Sequence, residues 1–481
     1  MQGSAPIENR FLTTMTETAP QRAGRFASGR WWQGLAHRYR LAAQSYVRRS
    51  PLDPWRDCRR VLLCVEGLTG FALYMVAAIL VLLLSETRGE ADALRQVSTF
   101  NALANLGPLV GGWLAARWCN FRWPVMLGAF LLCLGFGLWA RLPSGSLVLP
   151  MGVLVCGSAL FRSNIVALFA RLTEEHPTQK EHGFRAIYVA FNIGASLAPP
   201  AAAMLRPRFG WQGPLAASAL TMAAAVVLLA LVMPHLGQLE RSWRVIGASH
   251  LPRPHAQDKE PRPQATAIAV PLALLVLALL LWGICYGQAD GTMMLWARDR
   301  TQRVVFGVEI PASTFATLPA VLVFVMMPLA TLLSRWRVTR TVTRKLLVGM
   351  QGTALSMAVL ALAAYLSGDS PASLGWLLAS FVLLGVGEIV VAPLVQLTLC
   401  SLTKPIRHGI MVAVFYGALA IGYHLAGRVG AYWPILPKPV FFSGLAALAL
   451  LGCVVVAAAS QWLRPLPTEE TSPRKQPPSY D

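Results

Sequence analysis

Residues 61–85 read VLLCVEGLTGFALYMVAAILVLLLS, long enough as a helix to cross a hydrocarbon core about 30 Å thick. One charged residue, Glu66, stands inside that run. A charge at the centre of a spanning helix costs roughly 2.5–3.5 kcal/mol, so one that is retained there marks a site. Two later runs repeat the pattern: GSALFRSNIVALFARL at 157–172 encloses Arg162, and GVGEIVVAPL at 385–394 encloses Glu388.

The rest of the chain has the same character. Over 481 residues, 55% are hydrophobic and 13% charged, too apolar for an ordinary soluble domain. Runs of spanning length fall at roughly 61–85, 95–117, 123–141, 147–171, 184–205, 213–236, 267–297, 312–335, 345–367, 373–402, 408–432 and 438–463. The expected fold is therefore an all-α integral membrane protein with twelve transmembrane helices. Trp118, Trp123, Trp211, Trp336 and Trp433 cluster near span ends, where indole rings favour the membrane interface.

Residues 237–266 form the longest hydrophilic interruption and carry Pro252, Pro254, Pro261 and Pro263, as a linker would. The expected domains are a basic N-terminal extension at 1–60, a six-helix bundle at 61–236, the linker at 237–266, a second bundle at 267–463 and a tail at 464–481. Six spans, a linker and six spans is the layout of the major facilitator superfamily fold, whose halves rock about a midplane site.

The net charge of +20 is distributed by topology and gives no reason to expect nucleic acid as a partner. Eleven arginines from Arg10 to Arg60 precede the first span, against Glu8, Glu17, Asp53 and Asp57. The positive-inside rule places that end in the cytoplasm, and an even number of spans returns the C-terminus there. Arg117 and Arg122, the set from Arg335 to Lys345, and Lys404 with Arg407 agree, while Arg206 and Arg208 dissent. The RWWQGLAHRYRLAAQSYVRR stretch reads either as a basic amphipathic helix on anionic lipid or as a positive tail that fixes topology. No cleavable leader is expected, because the first long apolar run begins only after this stretch. An Arg-heavy, Ala- and Leu-rich composition points to a bacterial inner membrane. Eight cysteines show no C-x-x-C pair or metal-ligand spacing, so neither a disulfide framework nor a metal is expected. No nucleophile, base and orienter spacing indicates an enzyme.

The buried charges then carry the function. A carboxylate in a low-dielectric cavity resists ionising and can take up and release protons as access alternates. Glu66 and Glu388 are candidate proton or amine sites, and Arg162 needs an anion from one of them or from a solute. Asn101, Asn105, Asn192, Gln288 and Gln396 add amides at membrane depth. Asp290 lies near Arg298, Asp299 and Arg300 and reads as a solvated residue at the mouth. His424, beside Tyr423, reads as a packed histidine.

Several motifs resemble those of the proton-dependent oligopeptide transporter family, a branch of the major facilitator superfamily. Gly157, Phe161, Arg162 and Asn164 resemble its G-x-G-x-F-K-P-N stretch on the fourth helix, with Arg162 in place of Lys and Ser163 in place of Pro. Tyr188, Asn192, Gly194 and Ala195 match F-Y-x-x-I-N-x-G-(A/S) on the fifth, and Gly387, Glu388 and Pro393 match G-E-x-x-x-x-P on the tenth. The run GQADGTMMLWA is similar to a seventh-helix stretch through Gln288, Leu295 and Ala297.

The resemblance implies that Glu388 and Asn192 hold a peptide's amino terminus and that Arg162 serves coupling and the carboxyl end. Glu66 becomes the main proton carrier, with Tyr74 and Gln288 lining the site. The first helix departs from the family's E-x-x-E-R-F-x-Y-Y. It reads EGLTGFALY, keeping Glu66, Phe71 and Tyr74 but placing Thr69, Gly70 and Leu73 where Glu, Arg and Tyr are usual. A further family arginine falls at Ala77, Ala116 replaces an acid between the second and third spans, and Pro319 replaces an eighth-helix Asn. The amine-reading half of the site is thus kept and the carboxylate-reading half stripped, since glycine replaces no bidentate arginine contact.

The expected function is secondary transport of a small amine-bearing, peptide-like solute, driven by a proton gradient, with no bound cofactor and with lipid as the surrounding partner. Two other readings remain open: proton-antiport efflux of a natural product or drug-like compound, and a non-transporting membrane sensor or assembly partner.

Overall fold

In lipid every backbone N–H and C=O must be satisfied within its own segment, so the long apolar runs have helix as their only open solution. The computed structural model describes residues 54–118, 121–141, 147–173, 177–249, 265–324, 341–402 and 408–461. Residues 1–53 of the N-terminal extension, half of the linker (250–264), Arg335, Arg337, Arg340, Lys404, Arg407 and the C-terminal tail lie outside them.

The first group of helices comprises α1 (Pro54–Arg88), α2 (Glu90–Trp118), α3 (Arg122–Arg141), α4 (Val148–Thr173), α5 (Pro177–Phe209) and α6 (Gln212–Ser249). The second comprises α7 (Ala265–Tyr286), the short α8 (Thr292–Asp299), α9 (Ala312–Phe324), α10 (Val342–Ser367), α11 (Leu374–Ser401), α12 (His408–Gly430) and α13 (Lys438–Ala459). Among the described residues ten helices are long and apolar enough to cross a membrane. The other two expected spans correspond to α2, which carries Gln96, Asn101 and Asn105, and to α9, described as far as Phe324.

Within the first group α1 packs on α5 and α6, α3 on α4 and α6, and α2 on α4. Within the second, α10 packs on α11 and α13, and α7 on α12 and α13. The groups meet along α2 with α12 and along α5 with α9. Gly89, with φ of +83°, makes the tight turn between α1 and α2, a backbone conformation that favours glycine.

The end of the bundle that carries Gly89 is tied across the groups. Arg298 donates to Glu90 at 2.7 Å and to the Ser85 hydroxyl at 2.6 Å, while Thr317 donates to the Ser196 carbonyl at 3.4 Å. Outside the helices, β1 (Thr301–Gln302) pairs in parallel with β4 (Ala372–Ser373), and β2 (Val304–Val305) forms a hairpin with β3 (Val308–Glu309). Arg206, the dissenter from the charge rule, is held by Glu86 at 2.7 Å and lies over the Trp211 ring.

Two expectations about the chain change. The seventh run is not one helix over 267–297: it breaks at Gly287–Gly291, where Gln288, Ala289 and Gly291 bond three residues back. The sixth helix does not end at 236 but continues to Ser249, because Glu240 is buried against the start of α3 and holds that turn. Its carboxylate accepts from the Phe121 and Arg122 amides at 2.9 and 3.0 Å and pairs with the Arg122 guanidinium at 3.3 Å. Trp433, just past the end of α12, is covered by protein, being 1% exposed and packed on Phe441 and Phe442 under the Lys438 ammonium. Among the described residues, Cys64, Cys133, Cys156, Cys285 and Cys453 are free thiols.

Candidate functional site between the helix groups

The site is built where α1, α4 and α5 of the first group face α7, α11 and α12 of the second. Glu66 on α1 is 8% exposed, and its Oε2 has no hydrogen-bond partner. Arg162 on α4 is its electrostatic counterpart, yet forms no ion pair among the described residues. The guanidinium lies 5.6 Å from the centre of the Phe191 ring, in a cation–π arrangement. Phe191 in turn meets Tyr74 edge to face at 5.9 Å. Arg162, at mid-span of α4, and Tyr188, near the start of the α5 span, are both exposed.

Glu388, one turn before Pro393 on α11, lies beside Tyr286 and within electrostatic reach of Asp290. Tyr286 stacks on Trp282 at 4.7 Å and meets Tyr423 of α12 edge to face at 6.3 Å. Tyr74 bridges the groups, within reach of Glu388 and Asp290 on one side and Arg162 and Tyr188 on the other.

The lack of a side chain at Gly70 explains what the first helix has lost. A Cβ built at Gly70 would run into the Phe191 carbonyl, and one at Gly194 into the Gly67 carbonyl, so α1 and α5 cross backbone to backbone. The Thr69 hydroxyl is fully buried and donates to the Val65 carbonyl at 2.8 Å, offering nothing to a solute. The two missing family charges are therefore replaced by helix contact.

Of the residues singled out from sequence, Glu66, Tyr74, Arg162 and Glu388 come together here. Asn192 lies close by, 5% exposed, with its amide donating to the Tyr188 carbonyl at 2.9 Å. Gln288 is placed elsewhere: its amide nitrogen donates to the Ile284 and Ala426 carbonyls, its oxygen accepts from Thr292, and it is 1% exposed. It joins α7 to α12 and has no group free for a solute.

Asp290 also departs from expectation. It is not a solvated partner of Arg298, which is engaged by Glu90 and Asp299. It sits in the break between α7 and α8 and accepts from Asn101 of α2 at 3.1 Å. His424 lies 3.4 Å from the Thr99 hydroxyl, also across the groups. The tyrosines at 286 and 423 escaped the sequence reading.

A family model described as Major Facilitator Superfamily matches residues 62–427. Dipeptide and tripeptide permease A of Escherichia coli K12 is 22% identical over 417 residues, covering 77% of this chain and 83% of its own. Peptide transporter YePEPT of Yersinia enterocolitica is 23% identical over 436 residues, covering 75% and 85%. Among solved structures, a POT family transporter in complex with 5-aminolevulinic acid superposes with a TM-score of 0.73 at 18% identity, covering 84% of this chain and 96% of its own. A mutant peptide transporter POT bound to alafosfalin gives 0.74 at 19%, covering 84% and 94%. These likenesses carry the fold, and the span of the family match carries the assignment: this multi-pass helical membrane protein belongs to the Major Facilitator Superfamily.

Proposed function

We propose that the protein is a proton-driven secondary transporter of small amine-bearing, peptide-like solutes, in a divergent branch of the oligopeptide transporters. The observation that carries this reading is the buried, unpartnered carboxylate of Glu66, set toward Arg162 on one wall of a space whose opposite wall presents Glu388. The peptide permeases among its relatives support the solute class. Glu66 carries the proton, Glu388 anchors the amine, Arg162 is the counter-ion, and Tyr74 and Asn192 line the pocket. The protein works in an inner membrane with both termini cytoplasmic, which puts the Gly89 end at the periplasm.

The test is uptake of a labelled dipeptide by proteoliposomes, with and without an inward proton gradient. Gradient-driven accumulation supports symport. No accumulation, beside a peptide transporter that works under the same conditions, removes it. Loading of everted vesicles against an acidified interior would replace it with antiport.

A further inference from the structure

The space between the groups is lined unevenly in charge. Three carboxyl groups, Glu66, Asp290 and Glu388, are set there. Among the described residues Arg162 is the only Arg or Lys at mid-span depth facing them. His424 stands at the α2 contact beside Thr99. Glu66 is more than nine-tenths buried with one oxygen unpartnered, so the Arg162 field is what compensates it. While Glu66 is ionised, a solute carboxylate that took Arg162 would leave it as an uncompensated buried charge, and this costs more than an exposed contact returns.

On the opposite wall Asp290 is oriented by Asn101 through one oxygen, and Glu388 stands beside Tyr286. No basic side chain answers either acid among the described residues. Tyr286 and Tyr423 stand within electrostatic reach of both acids, with Trp282 stacked on Tyr286, and aromatic faces attract cations. The place of a second arginine, at Gly70, is closed by the α5 backbone.

Resting on the transporter reading above, we infer that the solute is a cation without a free carboxylate: a peptide amide, a decarboxylated peptide or an aryl-alkyl amine, its charge held by Glu388 and Asp290 between tyrosine rings. A zwitterion gains the same amine contacts but must bring its carboxylate into a site with two surplus acids, and that like-charge placement is what selects against it.

The experiment is competition in proteoliposomes at pH 7, where both amines are mostly protonated, using phenylalanylalanine and its C-terminal amide as the two probes. The amide is expected to bind about tenfold or more tighter, as for a change in a buried charge contact. Asp290→Asn should weaken the amide and leave the free acid level or improved. Glu66→Gln should tighten the free acid relative to the amide, because Arg162 then lacks its counter-ion; a merely structural defect would weaken both. Equal or tighter binding of the free dipeptide by the wild-type protein overturns the inference and leaves the peptide-transporter reading standing. Recognition of neither probe by folded, monodisperse protein removes that reading and this one with it.

Discussion

The Asn101 amide on α2 donates to the Asp290 carboxylate, 3.1 Å away in the break between α7 and α8, and so ties the two helix groups at the level where the site begins. Interhelical hydrogen bonds in membrane proteins contribute about 0.6 kcal/mol on average and up to about 1.7. Asn101→Ala should therefore shift the access equilibrium toward opening at the Gly89 end by about threefold, and by no more than about twentyfold. Thiol labelling of a Ser98→Cys variant reads this, since Ser98 is buried against the same contact. An unchanged labelling rate would remove the tie from the gating step.

The two glutamates should fail differently. Glu66→Gln is expected to abolish accumulation driven by a proton gradient while solute exchange across the membrane continues, because the carrier of the proton is lost but the amine site is not. Glu388→Gln should remove both with the fold intact, weakening solute binding by about 2–5 kcal/mol as loss of a buried charge partner does. Parallel accumulation and counterflow assays separate them, and full activity in the Glu388 variant would sink its assignment.

Restoring the arginine that the first helix lacks should not restore carboxylate binding. At Gly70 even a methyl group would meet the Phe191 carbonyl, and overpacking of this kind costs about 1–3 kcal/mol or more. Both Gly70→Arg and Gly70→Ala should lower the melting temperature of the purified protein, the arginine variant the more severely. A stable, active Gly70→Arg protein would mean that α1 and α5 can part.

Glu240 tests the anchoring of α6. It is 4% exposed, caps the start of α3 through two backbone amides and pairs with Arg122. Breaking a buried pair by removing one partner costs about 3–5 kcal/mol, so Glu240→Ala should lower the melting temperature markedly. Solute affinity, measured on what remains folded, should stay close to that of the wild type, because Glu240 lies far along α6 from the site helices' mid-spans.

Spans were legible in the sequence because lipid leaves a chain so few choices. The run at 123–141 became Arg122–Arg141, and that at 373–402 became Leu374–Ser401. Charges at membrane depth were legible for the same reason, and Glu66, Arg162 and Glu388 do converge between the groups. What apolarity does not encode is which polar group meets which. Gln288 and Asp290 are two residues apart in one break, yet the first is spent on α12 and the second on α2. Nothing in their local spacing separates those fates. Nor did a buried acid at position 240, outside the apolar run, announce that it would extend a helix into the presumed linker. The rings of Tyr286 and Tyr423 were hidden by their own ordinariness in an apolar segment.

The Arg298 clasp has a kinetic meaning. Its guanidinium grips Ser85 and Glu90 across the groups while Asp299 holds it from its own side. If the groups rock, these short bonds must come apart and re-form in every cycle, whereas the β1–β4 pairing, which lies wholly within the second group, travels unbroken. The barrier to opening that face is thus installed at the rim instead of the centre, where dissolved ions reach it and the solute in the middle does not. Turnover should then be throttled by ionic strength on one side of the membrane only.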